Sequence, residues 1–262
     1  MKLSIITVNL NNSVGLKRTA QSIIAQNFQD FEWIVMDGGS SDGSLDVIEE
    51  YKYRMSFWTS QKDSGIYNAM NSGVKKSSGE FVLFLNSGDS LFETDTLSKV
   101  FSKDCRNVIL YGDCVITNYL NHKENIVRYP DKLIFSDLFL RGICHNATFI
   151  PRQILISHPF TESYKIASDW EFFIKMALTS YPFQHIDILV TRYEDGGLST
   201  MNLDKNVQER LEIRDHLVPR MIIDEYRYAN LGDLMTIRYL YPKIWNILVK
   251  SFGFIKKVKH VL

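Results

Sequence analysis

The stretch FVLFLNSGDS, residues 81–90, joins an apolar run typical of a buried strand to a polar turn. The run ends at Asn86, and the turn brings Asp89 to the carboxyl end of the predicted strand. Ligands of open α/β sheets bind in the crevice outside the carboxyl ends of the strands. Asp89 is therefore a candidate ligand for a metal ion or a sugar hydroxyl, although Asp, Asn, Ser and Gly are also the ordinary residues of turns.

Strand and helix patterns alternate around this stretch through the first hundred residues. Such alternation predicts βαβ units and a mainly parallel sheet covered by helices on both faces. The predicted strands are 3–8, 31–36, 55–59 and 81–85, and the predicted helices begin near residues 13, 41 and 66.

The pattern loosens beyond residue 95, where shorter segments continue the same sheet in mixed orientation. Strands are predicted at 108–111, 115–117, 125–129 and 185–190, and helices at 131–140, at 169–178 and from about 202 onward. The fold class is therefore α/β, a single Rossmann-like domain with a mixed, mainly parallel central sheet. Residues 1–200 form this domain, and 201–262 form a helical C-terminal extension.

Composition excludes several classes of protein. The 262 residues are 45% hydrophobic and 13% aromatic, which excludes wholesale disorder, and 30 basic against 30 acidic side chains give no overall field that favours nucleic acid. The three cysteines lack metal-ligand spacing, and residues 1–10 look like a strand rather than a signal peptide, so we expect a reducing cytoplasm. No apolar run approaches the roughly 20 residues that cross a bilayer, so any membrane association is expected to be peripheral.

Three acidic loops follow predicted parallel strands, at Asp37, Asp63 and Asp89. Since the carboxyl ends of parallel strands lie at one edge of a sheet, these acids are expected to share one crevice. The chain has neither a GxGxxG fingerprint nor a GxxxxGK phosphate loop, so the sequence does not support a dinucleotide or NTPase site of the usual kind.

Five motifs together resemble the family 2 glycosyltransferases with the A-type nucleotide-sugar fold, particularly bacterial enzymes of polysaccharide assembly. They occur in the order typical of that family and span about the first 200 residues. The motifs are SIITVNLNN at 4–12, WIVMDGGSSDGS at 33–44, KDSGIYNAMNSGV at 62–74, GEFVLFLNSGD at 79–89 and SDWEFF at 168–173.

The resemblance implies roles for individual residues. It implies a nucleotide-binding half over 1–100 and an acceptor half over 101–200, with Asp169 at the position of the catalytic base. The loop from Asn86 to Asp89 is expected to meet ribose, diphosphate and a divalent cation, Mn²⁺ or Mg²⁺, with Asp89 as the metal ligand. The expected donor-binding residues are Thr7, Asn9, Asp37, Asp63, Asn68, Asn86, Ser87 and His145.

Two positions depart from the family pattern. Asn86 and Gly88 stand where the family usually has aspartates, which leaves Asp89 as the one carboxylate of that loop. Ser168 stands where an acid commonly precedes the base, so Glu171 is a rival to Asp169 for the catalytic role. Asp169 could also be only a helix cap, and Asp37 only a turn residue.

The implied reaction is transfer of a sugar, with inversion, from a nucleotide diphosphate to a hydroxyl group. UDP is the expected carrier, and the acceptor is expected to be a glycan or an undecaprenyl-diphosphate-linked saccharide of bacterial surface polysaccharide biosynthesis. Two other classes stay open, namely a catalytically weak nucleotide-sugar-binding protein, which the sparse metal loop favours, and a nucleotidyltransferase.

The C-terminal stretch YPKIWNILVKSFGFIKKVKHVL, residues 241–262, contains five lysines and no acid. Its apolar residues form two stripes at helical spacing, as in basic helices that lie in an anionic membrane surface. The same pattern fits a helix that packs on its own domain or on another subunit. The membrane interpretation predicts a peripheral enzyme on the inner face of the cell membrane.

Overall fold

A nine-stranded sheet organises the part of the chain that the computed structural model describes, which is residues 1–102, 107–228, 241, 243–247 and 250. Parallel pairing joins the strands of the first half, and antiparallel pairs continue the sheet into the second half. The strands are β1 Leu3–Asn9, β2 Phe31–Asp37, β3 Phe57–Ser60, β4 Phe81–Phe84, β5 Ser90–Leu91, β6 Ile109–Thr117, β7 Glu124–Val127, β8 Thr148–Pro151 and β9 Phe183–Glu194.

The strand order is β3-β2-β1-β4-β8-β6-β9-β5, with β7 paired to β6. The long ladders β1–β2 and β6–β9 are parallel, whereas β4–β8, β6–β8, β6–β7 and β5–β9 are antiparallel. This arrangement confirms the predicted α/β fold with a mixed, mainly parallel sheet.

Helices cover both faces of the sheet. α1 and α2 pack on one apolar layer, which includes Trp33 and Leu83, and α3 and α7 pack on the other, which includes Tyr67 and Phe84. The helices are α1 Ser13–Ile24, α2 Ser44–Tyr51, α3 Ile66–Lys76, α4 Thr96–Val100, α5 Phe135–Leu140, α6 Arg152–Ser157, α7 Ser168–Leu178, α8 Leu198–Met201, α9 Leu203–Leu217 and α10 Arg220–Tyr228.

Two strands of the second half differ from the sequence prediction. β6 is one strand where two were predicted, because its register against β9 shifts at Gly112 and Asp113 and pairing then resumes. β8 was not predicted, although its four residues are fully buried and link β4 to β6. Its short apolar run lacks the period-2 alternation that identifies a half-buried strand.

The helices after residue 200 pack on the preceding part of the chain. α9 lies against α7, and its buried residues Glu209 and Ile213 face inward. The division at residue 200 stays a prediction. The membrane hypothesis concerns residues 241–262, most of which lie outside the described residues. Within the described ranges, no helix is long and apolar enough to span a membrane.

Candidate active site

The loop Asn86–Asp89 leaves the carboxyl end of β4, as predicted, and α1 holds its backbone. The Thr19 hydroxyl accepts a hydrogen bond from the Gly88 amide at 3.0 Å and lies 2.6 Å from the Asp89 carbonyl oxygen. Asn12 caps α1 through Oδ1 and donates from Nδ2 to the Ser87 carbonyl at 2.9 Å. These contacts fix the loop without using the Asp89 carboxylate.

The Asp89 carboxyl sits in a partly buried, polar position. Burial raises its pKa to about 6, against the opposing effects of the nearby His145 and Arg18 charges and of hydrogen bonds from Asn146 and the Asn86 backbone. The side-chain oxygen of Asn86 is buried and has no hydrogen-bond partner in the part of the chain that the structure describes. The Asp89 carboxylate and Asn86 Oδ1 are thus two oxygen ligands at one loop, and hard divalent cations prefer oxygen ligands.

The carboxylate of Asp37, which ends β2, is 2% exposed and already accepts from five donors. Asn9 Nδ2 donates to it at 2.7 Å, and Ser60 Oγ at 2.5 Å. Burial alone would raise the Asp37 pKa, but hydrogen bonds from Ser40, Ser60 and Asn9 outweigh it and lower the pKa. Asp37 therefore orders the loop after β2, while the Oδ1 atom of Asn9 is buried without a partner.

Asp63 lies against that loop, as expected for a shared crevice. Its Oδ1 accepts from the Gly65 amide at 2.8 Å, and its Oδ2 would lie 3.0 Å from a Cβ at Gly38. Leu10 also approaches Gly38, and its side chain is exposed. Asn9, Asp37 and Asp63 thus lie together at the carboxyl ends of β1, β2 and β3, beside the exposed side chain of Leu10, and we call these three residues the carboxyl-edge cluster.

Two predicted donor-binding residues lie elsewhere. Thr7 is 0% exposed, and its hydroxyl accepts from the indole nitrogen of Trp33 at 3.0 Å inside the core. Asn68 donates to Glu162 at 2.8 Å, where α3 meets the segment before α7. The structure therefore places both side chains in internal contacts rather than in the carboxyl-edge cluster.

Asp169 lies at the start of α7 within a network of hydrogen bonds. Its Oδ2 is 3.0 Å from Nδ1 of His145, and its Oδ1 is 2.9 Å from the Tyr67 hydroxyl. Burial would raise its pKa, but the His145, Tyr67 and Trp170 backbone contacts outweigh that effect and lower the pKa. Asp169 is therefore an oriented carboxylate that is ionised at neutral pH.

His145 connects this carboxylate to the loop after β4. Its Nε2 lies 3.3 Å from Nδ2 of Asn86, on the opposite side of the ring from Asp169. Burial lowers the pKa of His145, but the hydrogen bond and charge of Asp169 outweigh that effect and raise it. The sequence predicted His145 as a donor contact, and the structure places it between the predicted base and the predicted metal loop.

Glu171, the rival base, has other partners. It is 6% exposed, its Oε2 accepts from the Thr161 hydroxyl at 2.5 Å, and its Oε1 pairs with Lys175 at 2.9 Å. These contacts tie α7 to the preceding loop. Of the two acids, only Asp169 contacts His145.

Glu209 of α9 holds the segment that leads into α7, a role that the sequence did not reveal. Its carboxylate accepts from the backbone amides of Lys165 at 2.8 Å, Ile166 at 2.9 Å and Ala167 at 3.0 Å. It is buried, so no water replaces these bonds readily. A glutamate in a polar helix usually indicates a solvated surface, which is why the pattern gave no signal.

We expect Glu209→Ala to lower the free energy of unfolding by at least about 2 kcal/mol, because three buried amides lose their acceptor at about 1–3 kcal/mol each. Turnover should fall too, since Asp169 follows the released segment. Urea unfolding and an activity assay measure the two effects. Glu212→Ala, an exposed change on the same helix, is the control, and equal effects from both variants would contradict the role of Glu209.

Comparison with known proteins bears directly on this geometry. The model of the glycosyl transferase family 2 matches residues 4–158. The chain belongs to this family. Among curated relatives, a "PGL/p-HBAD biosynthesis glycosyltransferase" of Mycobacterium tuberculosis is 32% identical over 229 residues, which is 84% of this chain and 88% of the relative. This family 2 glycosyltransferase is also 27% identical to an Escherichia coli chondroitin synthase, and the match covers 94% of this chain and 37% of the chondroitin synthase.

Solved structures share its fold. S. aureus TarS in complex with UDP-GlcNAc matches with a TM-score of 0.61 at 19% identity, over 77% of this chain and 61% of that one. A mannosyltransferase from Pyrobaculum calidifontis in complex with GDP-Man and Mn²⁺ matches with a TM-score of 0.60 at 14% identity, over 81% of this chain and 62% of that one. These likenesses confirm the A-type glycosyltransferase fold.

Proposed function

We propose that this glycosyltransferase moves a sugar, with inversion, from a nucleotide diphosphate to a hydroxyl of a glycan or lipid-linked saccharide. The observation that carries the proposal is the ionised Asp169 carboxylate, which His145 links to the Asn86–Asp89 loop. A base and a diphosphate-binding loop are the two groups that single displacement needs at one site.

The relatives support a nucleotide-sugar donor but not one particular nucleotide. TarS was solved with UDP and UDP-GlcNAc, and the Pyrobaculum enzyme with GDP-Man. We propose UDP as the carrier, because the TarS complex with UDP covers 92% of this chain and the Pyrobaculum complex with GDP-Man covers 81%. Curated relatives named for PGL/p-HBAD biosynthesis and as a chondroitin synthase support an acceptor that is itself a glycan or a lipid-linked saccharide.

The oxygens at the loop after β4 fit a divalent cation. Among the described residues, no cluster of three or more His, Cys, Asp or Glu side chains could hold an ion. The Asp89 carboxylate and the unpartnered oxygen of Asn86 would therefore hold Mn²⁺ or Mg²⁺ together with water and donor phosphate, as these ions commonly allow. A bound cation supplies positive charge against the departing diphosphate.

The protein's own groups handle the proton. Asp169 accepts it from the attacking hydroxyl, while Tyr67 and the Trp170 amide fix the orientation of Oδ1. His145 contacts Oδ2 and keeps the carboxylate beside the Asn86–Asp89 loop, which we expect to bind the donor diphosphate. Because Asp169 is already ionised, its contribution comes from position rather than from a raised pKa.

A panel of nucleotide sugars tests the proposal. The purified protein is incubated with UDP-, GDP- and dTDP-sugars and Mn²⁺, and the products are identified. Release of nucleoside diphosphate supports sugar transfer, release of pyrophosphate indicates a nucleotidyltransferase, and donor binding without release indicates a binding protein. Either of the last two results overturns the proposal.

The carboxyl-edge cluster, which we propose binds the nucleoside, gives a second prediction. Asp63→Asn should weaken donor affinity about tenfold and leave turnover at saturating donor near normal, because a contact far from the anomeric carbon acts alike on ground and transition states. Calorimetric donor titration and initial rates measure the two quantities. Asp46→Asn, an exposed acid on α2, is the matched control, and unchanged donor affinity in Asp63→Asn would contradict the assignment.

A further inference from the structure

Arg210 of α9 lies near the proposed base, and it has no ion-pair partner among the described residues. Its guanidinium lies over the ring of Trp170, 4.9 Å from the ring centroid, and Trp170 directly follows Asp169. Its Nε is buried and has no hydrogen-bond partner, and among the described residues Arg210 forms no ion pair. Burial lowers the Arg210 pKa, and the charge of Asp169 opposes that effect, so the two groups lie within electrostatic range.

The contact with Trp170 leaves Nε of Arg210 buried and without a hydrogen-bond partner among the described residues. Stacking on an aromatic face is compatible with two further hydrogen bonds from the planar fork, which matches phosphate and carboxylate oxygens. Buried N–H groups are nearly always paired in folded proteins. The unpaired Nε of Arg210 therefore indicates a ligand that is absent from the polypeptide itself.

Asn206 supplies a second unpaired atom one helical turn earlier. Its Oδ1 is buried and has no partner. Residues four apart lie on the same face of a helix, and the inward face of α9 also carries Glu209 and Ile213. Two polar groups on this face, Asn206 and Arg210, are thus left open, while Glu209 between them is fully engaged by backbone amides.

The contacts of Arg210 with Gly142 and Trp170 lie in the part of the chain that we take as the acceptor half. Nη2 of Arg210 would lie 3.8 Å from a Cβ at Gly142, which has a positive φ of 82° and adopts it readily as a glycine. Gly142 and Trp170 belong to the half of the chain after residue 100. Among the described residues, the loops after β1, β2, β3 and β4, which carry most of the expected donor-binding residues, form no hydrogen bond or ion pair with Arg210.

We propose that Arg210 forms a subsite for an oxyanion of the acceptor, a phosphate or a carboxylate next to the hydroxyl that Asp169 deprotonates, and that Asn206 Oδ1 accepts a hydrogen bond from a hydroxyl of the same molecule. This inference rests on the proposed function, because it takes Asp169 as the base. It goes beyond it by assigning an anionic acceptor and the residues of α9 that select it.

Two anions serve as probes, inorganic phosphate and glucuronate. Each is titrated by calorimetry into the full-length protein saturated with UDP, or with the nucleotide that the donor panel identifies, so that the diphosphate site is already filled. We expect one of them to bind, and Arg210→Gln to weaken that binding at least about tenfold, since hydrogen bonds to charged groups are the strong ones. The anion that binds distinguishes a phosphorylated acceptor from an acidic sugar.

Matched variants separate recognition from folding. Arg214→Gln removes the same charge from the same helix at a residue paired with Asp215 and should bind like the wild type. Asn206→Ala should weaken the same anion by a smaller factor. Arg210→Lys keeps the charge without the planar fork, so its anion affinity should lie between those of the wild type and Arg210→Gln. If a loss of nucleotide affinity shows that Arg210→Gln is misfolded, the comparison uses Arg210→Lys instead.

Failure to bind either anion, or equal binding by wild type and the Arg210 variants, overturns the subsite. The donor panel fails or succeeds separately. A protein that transfers sugar without Arg210-dependent anion binding keeps the proposed function and loses this inference. A protein with such binding but without donor turnover loses the proposed function and the acceptor role of the subsite with it.

Discussion

Asp169→Asn is expected to lower the turnover of sugar transfer by about 10² or more, the usual contribution of a positioned general base. The amide keeps the size of the side chain, and its oxygen can still accept from Tyr67 or the Trp170 amide. It cannot take the proton of the attacking hydroxyl. Donor affinity should stay near that of the wild type, because the substitution does not alter the carboxyl-edge cluster of Asn9, Asp37 and Asp63.

Glu171→Gln is the matched control for this result. It removes an acid from the first turn of the same helix but alters only the contacts with Thr161 and Lys175. Initial rates at saturating donor and acceptor, with donor binding measured separately, compare the two variants. Loss of turnover in Glu171→Gln with Asp169→Asn nearly unaffected would show that the other acid is the base.

Asp89→Ala and chelation by EDTA should each lower transfer by about 10² or more, and for the same reason. Both remove positive charge that stabilises the leaving diphosphate, a contribution of several kcal/mol at roughly tenfold per 1.4 kcal/mol. Activity in EDTA should return when Mn²⁺ or Mg²⁺ is added in excess, whereas the variant should respond only weakly to added metal. Rates measured over a metal titration test both expectations.

The control for Asp89 is Asp187→Ala, which removes an acid that is 84% exposed on β9. It should show the metal dependence of the wild type. Full activity in EDTA would contradict the metal proposal.

The first half of the fold was predictable because its signals are local. Strands β1, β2 and β4 and helices α1 and α3 follow apolar periodicity within a few residues of the predicted bounds. β8 and the continuous β6 were not predicted, because pairing with distant strands determines them. A short buried run such as residues 148–151 does not reveal by itself which strands it will join.

The site shows the same limit. Asn9, Asp37, Asp63, Asp89 and Asp169 occur in short motifs, and the structure gathers them at the carboxyl edge of the sheet. Thr19 and Glu209 act through backbone atoms 67 or more and 42 to 44 positions away, respectively, and no local pattern records such a partner. Thr7 matches its motif as well as Asn9 does and lies on the same face of β1, but it is two residues further from the carboxyl end, where its hydroxyl meets the Trp33 indole in the core.

The bonds from Glu209 to residues 165–167 also bear on how the protein is made. Asp169 leaves the ribosome about forty residues before the glutamate that holds its segment, so the sheet can begin to form before residues 165–167 have their acceptor. A nascent chain that stops near residue 200 would therefore carry every donor-side residue, and Asp169 would be oriented by His145, Tyr67 and the Trp170 amide without the support of Glu209. Synthesis must continue through α9 before the three amides are satisfied, so we expect the segment before α7 to be among the last parts of the site to become rigid.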